Sequence, residues 1–291
     1  MKSICIVVIG RNDIAHLNRS LVTAAKQCES IGEHCRVLYA DDASDDGSAD
    51  FAEAIAVKHP SISIYKSPIQ RNIGGIRNAA VAYLSSLGDK SPDYIWLHDS
   101  DDFITDNALS RVLDALEKNN YPDGLSVPIY TMRNPKAQIP DCSVIMKSIE
   151  DAPMGPVGEW SIVFRRPLYV PNPENQACED APWHYEQFDR FSTWGKVEGP
   201  EPCYIWDCTN PNAITRTVEY CSNHSFTILA AACENVLINA NKNDRWVSDN
   251  LRNIANMYDV RNRITKPNVR AAWLARFKTE VLNFSSGFHV H

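Results

Sequence analysis

The residues of this chain best equipped for chemistry are its aspartates, gathered in two runs. One is Asp41-Asp42-Ala43-Ser44-Asp45-Asp46-Gly47-Ser48, and the other is His98-Asp99-Ser100-Asp101-Asp102. Each follows a stretch of strand composition, Arg36–Ala40 in the first case and Tyr94–His98 in the second. Carboxylates crowded at a sheet edge raise one another's pKa and are costly to keep ionised. A bound cation removes that cost. Strand alternation directs Asp99 and Asp101 to the same side. Two such oxygen ligands, completed by water and phosphate oxygens, are a usual way of holding Mg²⁺ or Mn²⁺ beside a diphosphate. Asp, Ser and Gly are also ordinary turn and capping residues, and Ser48 or Asp46 is sufficient to cap a following helix. The second run exceeds what a cap requires. Two runs at equivalent strand ends of one sheet weigh more than either alone.

Between the runs lies Arg71-Asn72-Ile73-Gly74-Gly75-Ile76-Arg77-Asn78. Paired glycines opening a helix leave backbone N–H groups for an anion, and Arg77 adds a guanidinium. A tight helix start also explains the glycines, though not the two Arg-Asn pairs. Neither the GxGxxG fingerprint nor the P-loop is present. Further on, Glu179-Asp180 heads a helical stretch, a place where acidic residues also suit the macrodipole. His184 stands one turn beyond Asp180 on the same face. It is a candidate for orienting a base, approaching phosphates or reaching a metal. A histidine between Trp183 and Tyr185 is nevertheless more often a packed side chain. Trp160, Trp183 and Trp206 are candidate platforms for sugar rings, and equally core residues. His98 reads as structural.

The elements that must position these residues alternate between strand and helix. Strands are expected at Ser3–Ile9, Arg36–Ala40, Ser61–Tyr65, Tyr94–His98 and Gly124–Tyr130. Helices are expected from Ile14 to Cys28, at Ala49–Lys58, at Ile76–Leu87 and at Ala108–Lys118, where apolar residues recur at helical spacing. Such an order implies right-handed crossovers and a mostly parallel sheet with helices on both faces. Ligands of open α/β sheets bind beyond the carboxyl ends of the strands, where both acidic runs fall. Residues 131–175 are rich in proline and turn residues, with one strand expected at Trp160–Arg165. Residues 180–193 read as helix, followed by short strands near Lys196–Val197 and Tyr204–Trp206. From about Ser222 to Asn283 the pattern is helical, interrupted at Pro267.

Composition narrows the class. A chain of 291 residues, 44% of them hydrophobic, can bury one large domain, with or without a helical appendage. Nine cysteines stand singly with no CxxC pair, which fits small buried hydrophobes in a reducing compartment better than a disulfide framework or zinc site. The apolar run Ile4–Ile9 is too short to span a bilayer, so the expected location is cytoplasmic. A net charge of −7 argues against a protein coated for nucleic acid. From Lys242 to Lys278, however, nine basic residues face three acidic ones, a local +6 that leaves −13 for the rest. A solvated helix face explains this stretch, and an anionic acceptor is the sharper alternative.

Taken in order, the opening Ser3-Ile4-Cys5-Ile6-Val7-Val8-Ile9-Gly10-Arg11-Asn12, the two acidic runs, Arg71–Asn78 and Glu179-Asp180-Ala181-Pro182-Trp183 resemble the inverting, GT-A-fold glycosyltransferases of family 2. Pro211-Asn212-Ala213-Ile214-Thr215-Arg216 continues the likeness more loosely, so that it covers roughly residues 3–217. It implies a GT-A, Rossmann-like catalytic domain over 1–217 and leaves unassigned the helical C-terminal region over 218–291, a candidate for acceptor binding. The donor implied is a nucleotide-diphosphate sugar, UDP-sugar favoured. The cofactor implied is Mn²⁺ or Mg²⁺ at an Asp-x-Asp motif. By this resemblance Asp42, with Asp41, meets the nucleobase, Asp99 meets the ribose or the metal, and Asp101 binds the metal. Arg77 contacts ribose, base or phosphate. Asp180, beside Glu179, is the base that takes the proton from the acceptor hydroxyl. One departure stands out: the family usually ends its first strand in Pro-x-Tyr-Asn, where this chain has Ile9-Gly10-Arg11-Asn12.

The acceptor expected is a glycan, with hydroxymethylated bases of viral DNA as the alternative, tracked by the basic stretch with strong salt dependence. A glycoside hydrolase would also use two carboxylates, but has no need of a nucleotide or of two aspartate runs at one sheet edge. A sugar nucleotidyltransferase would open with a Gly-rich, Arg- and Lys-bearing loop. A non-catalytic sugar or nucleotide binder is the alternative of a different class. No helix-turn-helix, zinc-finger or RNA-recognition signature supports nucleic-acid binding by itself.

Overall fold

The structure is a computed structural model that describes residues 2–132, 159–172, 183, 187, 190–207 and 209. Its first strand, β1 (Ile4–Gly10), is buried along its whole length. A run of Ile and Val with no polar alternation suits a strand covered on both faces, since each face needs apolar contact. Helix α1 (Ile14–Ile31) follows, burying Leu17, Leu21, Ala24, Ala25 and Cys28 at the 3–4 spacing that brings them to one side. Then come β2 (Cys35–Asp41), α2 (Ser48–Ala56), β3 (Ile62–Lys66), α3 (Ile73–Ser85) and β4 (Tyr94–Asp99). A two-residue strand β5 (Phe103–Ile104) precedes α4 (Ala108–Lys118), β6 (Gly124–Ser126) and β7 (Ile129–Met132). The later described strands are β8 (Ile162–Arg165), β9 (Trp194–Lys196) and β10 (Tyr204–Asp207).

Seven strands form one sheet in the order β3-β2-β1-β4-β8-β6-β9. All its pairs are parallel except those of β8 with β4 and β6. Alternation along β1 sends Ile4, Ile6 and Val8 towards α1, α2 and α4, and Cys5, Val7 and Ile9 towards α3. Each such side chain contributes about 1.5–3 kcal/mol by leaving water. This is the mostly parallel, two-faced α/β sheet that the alternation of elements implies. A second sheet of three short strands, β5-β10-β7, lies beside it, with β10 parallel to β7 and antiparallel to β5.

Three expectations change. Gly124–Tyr130 is not one strand: β6 belongs to the large sheet and β7 to the small one. Pro128, which has no N–H for a ladder, stands at the break, and its carbonyl accepts from Cys203 N at 2.7 Å. The strand expected at Trp160–Arg165 begins only at Ile162, after a 3₁₀ turn at Glu159–Ser161. Trp183 is no sugar platform. It is fully buried against Phe164 and Tyr169, and its indole N–H donates to Val170 O at 2.7 Å.

The four described cysteines, Cys5, Cys28, Cys35 and Cys203, are free and buried. Burial pushes the Cys35 thiol up to about 11 and Cys5 to about 12. They behave as small hydrophobes. No helix among the described residues is long and apolar enough to cross a membrane. The boundary expected at residue 217 and the helical region beyond it lie outside the described residues.

In this strand order the chain leaves β1 towards β2 on one side and later reaches β4 on the other. The carboxyl ends of β1 and β4 are therefore the switch point beside which open α/β sheets bind their ligands. Gly10 ends β1 at that point, and its lack of a side chain is required there. A Cβ on Gly10 would lie 2.6 Å from Ser100 Oγ and 3.2 Å from the Tyr39 hydroxyl oxygen. Ser100 is not free to retreat, because its hydroxyl donates to Asp13 Oδ2 at 2.6 Å. Gly10→Ala should lower stability to urea unfolding by about 1–3 kcal/mol. The double variant Gly10→Ala/Ser100→Gly should recover most of that loss. An additive double variant would show that the crowding lies elsewhere.

Candidate active site

Both acidic runs sit at the carboxyl edge of the large sheet, one after β2 and one at the end of β4. With β1 between them and strands spaced about 4.8 Å apart, their starting points are about 10 Å from each other.

At β2 the two aspartates take different jobs. Asp41 Oδ1 accepts from the Tyr39 hydroxyl at 3.2 Å, and its Oδ2 accepts from Ser44 N at 3.0 Å, which closes the loop. Asp42 Oδ1 accepts from Arg71 N at 2.7 Å, joining this loop to the start of α3. Burial raises the Asp42 carboxyl above its ordinary value, opposed by the Arg71 N–H and by the Arg11 and Arg71 charges. Asp46 is structural. It accepts from Ser48 N at 2.9 Å at the head of α2 and from Ile14 N at 3.2 Å at the head of α1. One carboxylate thus satisfies amides that helix starts leave unpaired. Asn12 adds a second tie between the same loops, donating to Asp45 Oδ1 at 2.8 Å.

At α3 the plain reading prevails over the anion cradle. Asn72 caps the helix by accepting from Gly75 N at 2.7 Å, so that amide is already engaged. Arg77, 3% exposed, turns inward. Its guanidinium donates to Asp99 Oδ1 at 3.0 Å and to Glu159 Oε1 at 3.3 Å. Glu159 has a fully buried side chain, so a charged triad spans α3, the end of β4 and the approach to β8.

The strand alternation expected for Asp99 and Asp101 does not hold, because β4 ends at Asp99 and the chain turns at Ser100 and Asp101. The turn still brings three carboxylates together. Asp102 is buried and its carboxyl lies well above the ordinary range, pushed by burial first and then by the Asp101 and Asp99 charges. Its oxygens are both engaged, Oδ2 by the Tyr204 hydroxyl at 2.5 Å and Oδ1 by Asp207 N at 2.7 Å. Asp99, with a side chain 27% exposed, and the half-buried Asp101 are both more open to solvent than Asp102. His98 is core: it packs edge-on to Trp96 and Tyr204, and burial lowers its pKa to about 3, keeping it neutral.

The structure thus gathers Asp99 and Asp101 in one turn, seats Arg77 against Asp99, and places Asp41 and Asp42 across β1 from them. Asp180, Glu179 and His184 lie outside the described residues. Glu159 and Tyr204 give no signal in the sequence. A lone glutamate after a Pro- and Gly-rich stretch and a tyrosine in a short strand have no periodicity or pairing to mark them.

A divalent cation fits this turn. Its donors are carboxylate oxygens, the hard ligands that Mg²⁺ and Mn²⁺ prefer. The mutual repulsion recorded in Asp102 is the cost a cation would offset. Among the described residues no group of three or more acidic, His or Cys side chains is arranged to hold a metal ion. Asp99 and Asp101 would hold the cation in part, leaving positions for water and phosphate.

A doubly wound sheet whose strand order reverses between the first and fourth strands, with acidic turns at the carboxyl ends of the second and fourth, defines a GT-A type of nucleotide-handling domain. Residues 3–159, more than half of the chain, match the family model for glycosyl transferase family 2, and the chain belongs to that family. It is a glycosyltransferase. No curated protein matches the chain by sequence. Among solved structures it resembles S. aureus TarS residues 1–349 in complex with UDP-GlcNAc, at 12% identity and a TM-score of 0.61, over 98% of this chain and 92% of that one. A second S. aureus TarS structure, at 13% identity and TM-score 0.55, is matched over 79% of this chain and 42% of that chain. The mannosyltransferase PcManGT from Pyrobaculum calidifontis, in complex with GDP-Man and Mn²⁺, is similar at 13% identity and a TM-score of 0.55, over 98% and 86% of the two chains. At these identities the likeness is one of fold.

Arg77→Met removes the guanidinium from which Asp99 Oδ1 and the buried Glu159 Oε1 both accept. Arg77→Met should cost about 3–5 kcal/mol in urea unfolding. Adding Glu159→Gln to that variant should return part of it. Equal stability of Arg77→Met and wild type would exclude the triad as a structural element.

Proposed function

We propose that this glycosyltransferase is inverting and moves a sugar from a nucleotide-diphosphate donor, UDP-sugar favoured, to a hydroxyl of a glycan acceptor, with Mn²⁺ or Mg²⁺ as cofactor. The observation that carries this reading is the Asp99–Asp102 turn at the carboxyl end of β4, beside β1 and facing the acidic loop of β2. Support comes from the solved relatives, which hold UDP-GlcNAc in one case and GDP-Man with Mn²⁺ in another.

In this reading Asp42, positioned by Arg71 N and neighboured by Asp41, accepts an N–H of the nucleobase. Asp99 receives the ribose or a cation ligand position, and Asp101 is the principal metal carboxylate. The divalent cation supplies neutralisation of the charge that develops on the departing nucleoside diphosphate. Arg77 acts on the donor through Asp99, fixing one of its oxygens and leaving the other for the ligand. Asp180 takes the acceptor proton as the new glycosidic bond forms and the bond to the diphosphate breaks on the opposite face. Glu179 neighbours that base in the sequence, and His184, four residues on, orients it. Four buried free thiols support a reducing, cytoplasmic setting. The +6 stretch from Lys242 to Lys278 favours a second acceptor, hydroxymethylated DNA, whose use would fall steeply with salt.

A panel of nucleotide sugars with Mn²⁺, with and without chelator, tests the donor and the metal together. We expect metal-dependent release of nucleoside diphosphate that Asp101→Ala abolishes; release unaffected by chelator or by Asp101→Ala would overturn the metal assignment. Asp180→Asn should retain donor binding while transfer falls about 10²–10⁴-fold. Transfer at the wild-type rate in that variant would exclude Asp180 as the base.

A further inference from the structure

Arg19 stands on the partly exposed flank of α1 and would pass as a solvated charge in the sequence. In the structure its guanidinium lies 4.2 Å from the centre of the Phe103 ring. The same Nη2 donates to the backbone carbonyl of Asp101 at 2.8 Å and to Asp207 Oδ2 at 2.6 Å. These contacts join residues 82 and 188 positions apart. Asp207 is itself secured on its other oxygen, which accepts from Thr209 N at 2.9 Å and from the Thr209 hydroxyl at 2.6 Å. The guanidinium is therefore held by a ring face, a buried carboxylate and a carbonyl, and it has little freedom left.

What it holds is the turn that presents Asp101. Residues 99–102 are gripped from the β10 side at three further points. Asp99 N donates to the Tyr204 hydroxyl oxygen at 3.3 Å, that hydroxyl donates to Asp102 Oδ2, and Asp207 N donates to Asp102 Oδ1. All these bonds fall on Asp99 or Asp102, at the ends of the turn. Arg19 adds the hold on the peptide of Asp101 itself. A carbonyl cannot swing without rotating the adjoining backbone dihedrals, and those dihedrals set where the Asp101 side chain projects. Asp207 belongs to β10, beyond the residues matched by the family model, so the hold comes from a part of the chain outside that match.

We propose that Arg19 and Asp207 form a latch that fixes the Asp101 carbonyl and so orients the Asp101 carboxylate towards a divalent cation, making Arg19 a positioning residue for metal-dependent transfer. The inference rests on the reading of Asp101 as a metal carboxylate. Residues that hold a metal ligand in place typically contribute about 10–100-fold to metal affinity. Arginine suits the task because its flat fork stacks on Phe103 while donating in plane, which lysine cannot reproduce.

The test measures Mn²⁺ binding by electron paramagnetic resonance, with the full-length protein and either UDP or GDP present. Alongside it run urea unfolding, and kcat and KM for the donor that the panel identifies. Arg19→Met, which keeps a stem over Phe103, should weaken Mn²⁺ binding about tenfold or more and lower kcat. KM for the acceptor should stay unchanged, and the protein should remain folded at the assay temperature. Arg19→Lys should restore part of the loss, and Arg19→Met/Asp207→Asn should be no worse than Arg19→Met, since the two act as one unit. If Arg19→Met binds Mn²⁺ as wild type does, or if its loss of binding only parallels unfolding, the latch is wrong. If wild type binds no Mn²⁺ with either nucleotide, the metal reading of Asp101 fails first, and the latch falls with it.

Discussion

Negative charge collected at one edge of a sheet is the constraint from which the rest of this molecule follows. Asp41 and Asp42 close β2, and Asp99, Asp101 and Asp102 close β4, with a single strand between them. Left to themselves, these groups would repel one another and take up protons. The protein manages them one by one. Asp41 is consumed by its own loop, Asp42 is tied to the start of α3, and Asp102 is buried under Tyr204 and the Asp207 amide. Asp99 is balanced by Arg77, which in turn needs Glu159. Asp101 is the member whose backbone carbonyl Arg19 grips.

That division of labour explains why two sheets are needed. The large sheet brings the strand ends together and holds the start of the turn, where Ile9 O accepts from Ser100 N at 2.9 Å. The small sheet adds its hold through β10, a four-residue strand whose tyrosine and aspartate reach the turn from the side opposite α3. Asp99 is thus fixed from the α3 face by a guanidinium, and its amide from the other side by the Tyr204 hydroxyl oxygen. A residue whose side chain and amide are held from two directions has little freedom left to lose, which is how preorganisation works. Gly10 completes the arrangement by leaving room for Ser100 above the end of β1.

The large sheet's first half was legible in the chain because its strands are short runs rich in β-branched and aromatic residues, and its helices carry apolar residues at helical spacing. Those are local patterns. The break at Pro128 was visible as a residue type, but not as a change of sheet, because strand pairing depends on partners far along the chain. The turn after β4 was misjudged for a similar reason. Alternation carried past Asp99 presumes that the ladder continues, whereas the pairing of β4 with β1 stops at Ile9 and Asp99. Trp183 illustrates the remaining kind of failure: a tryptophan is equally at home in a core and in a sugar site, and only its neighbours Phe164 and Tyr169 decide.

The linear order of residues was enough to determine the class of architecture, the two acidic runs and their place at strand ends, and, through them, membership of a glycosyltransferase family. These depend on composition and period, which the chain carries wherever it goes. Tertiary structure alone decided which partner holds each carboxylate. That choice rests on partners at separations of 22 to 188 residues: Arg77 for Asp99, Tyr204 for Asp102, Arg19 for Asp207. A charge has no fixed role until its counter-charge and its solvent are fixed, and both come into being only when the chain has folded.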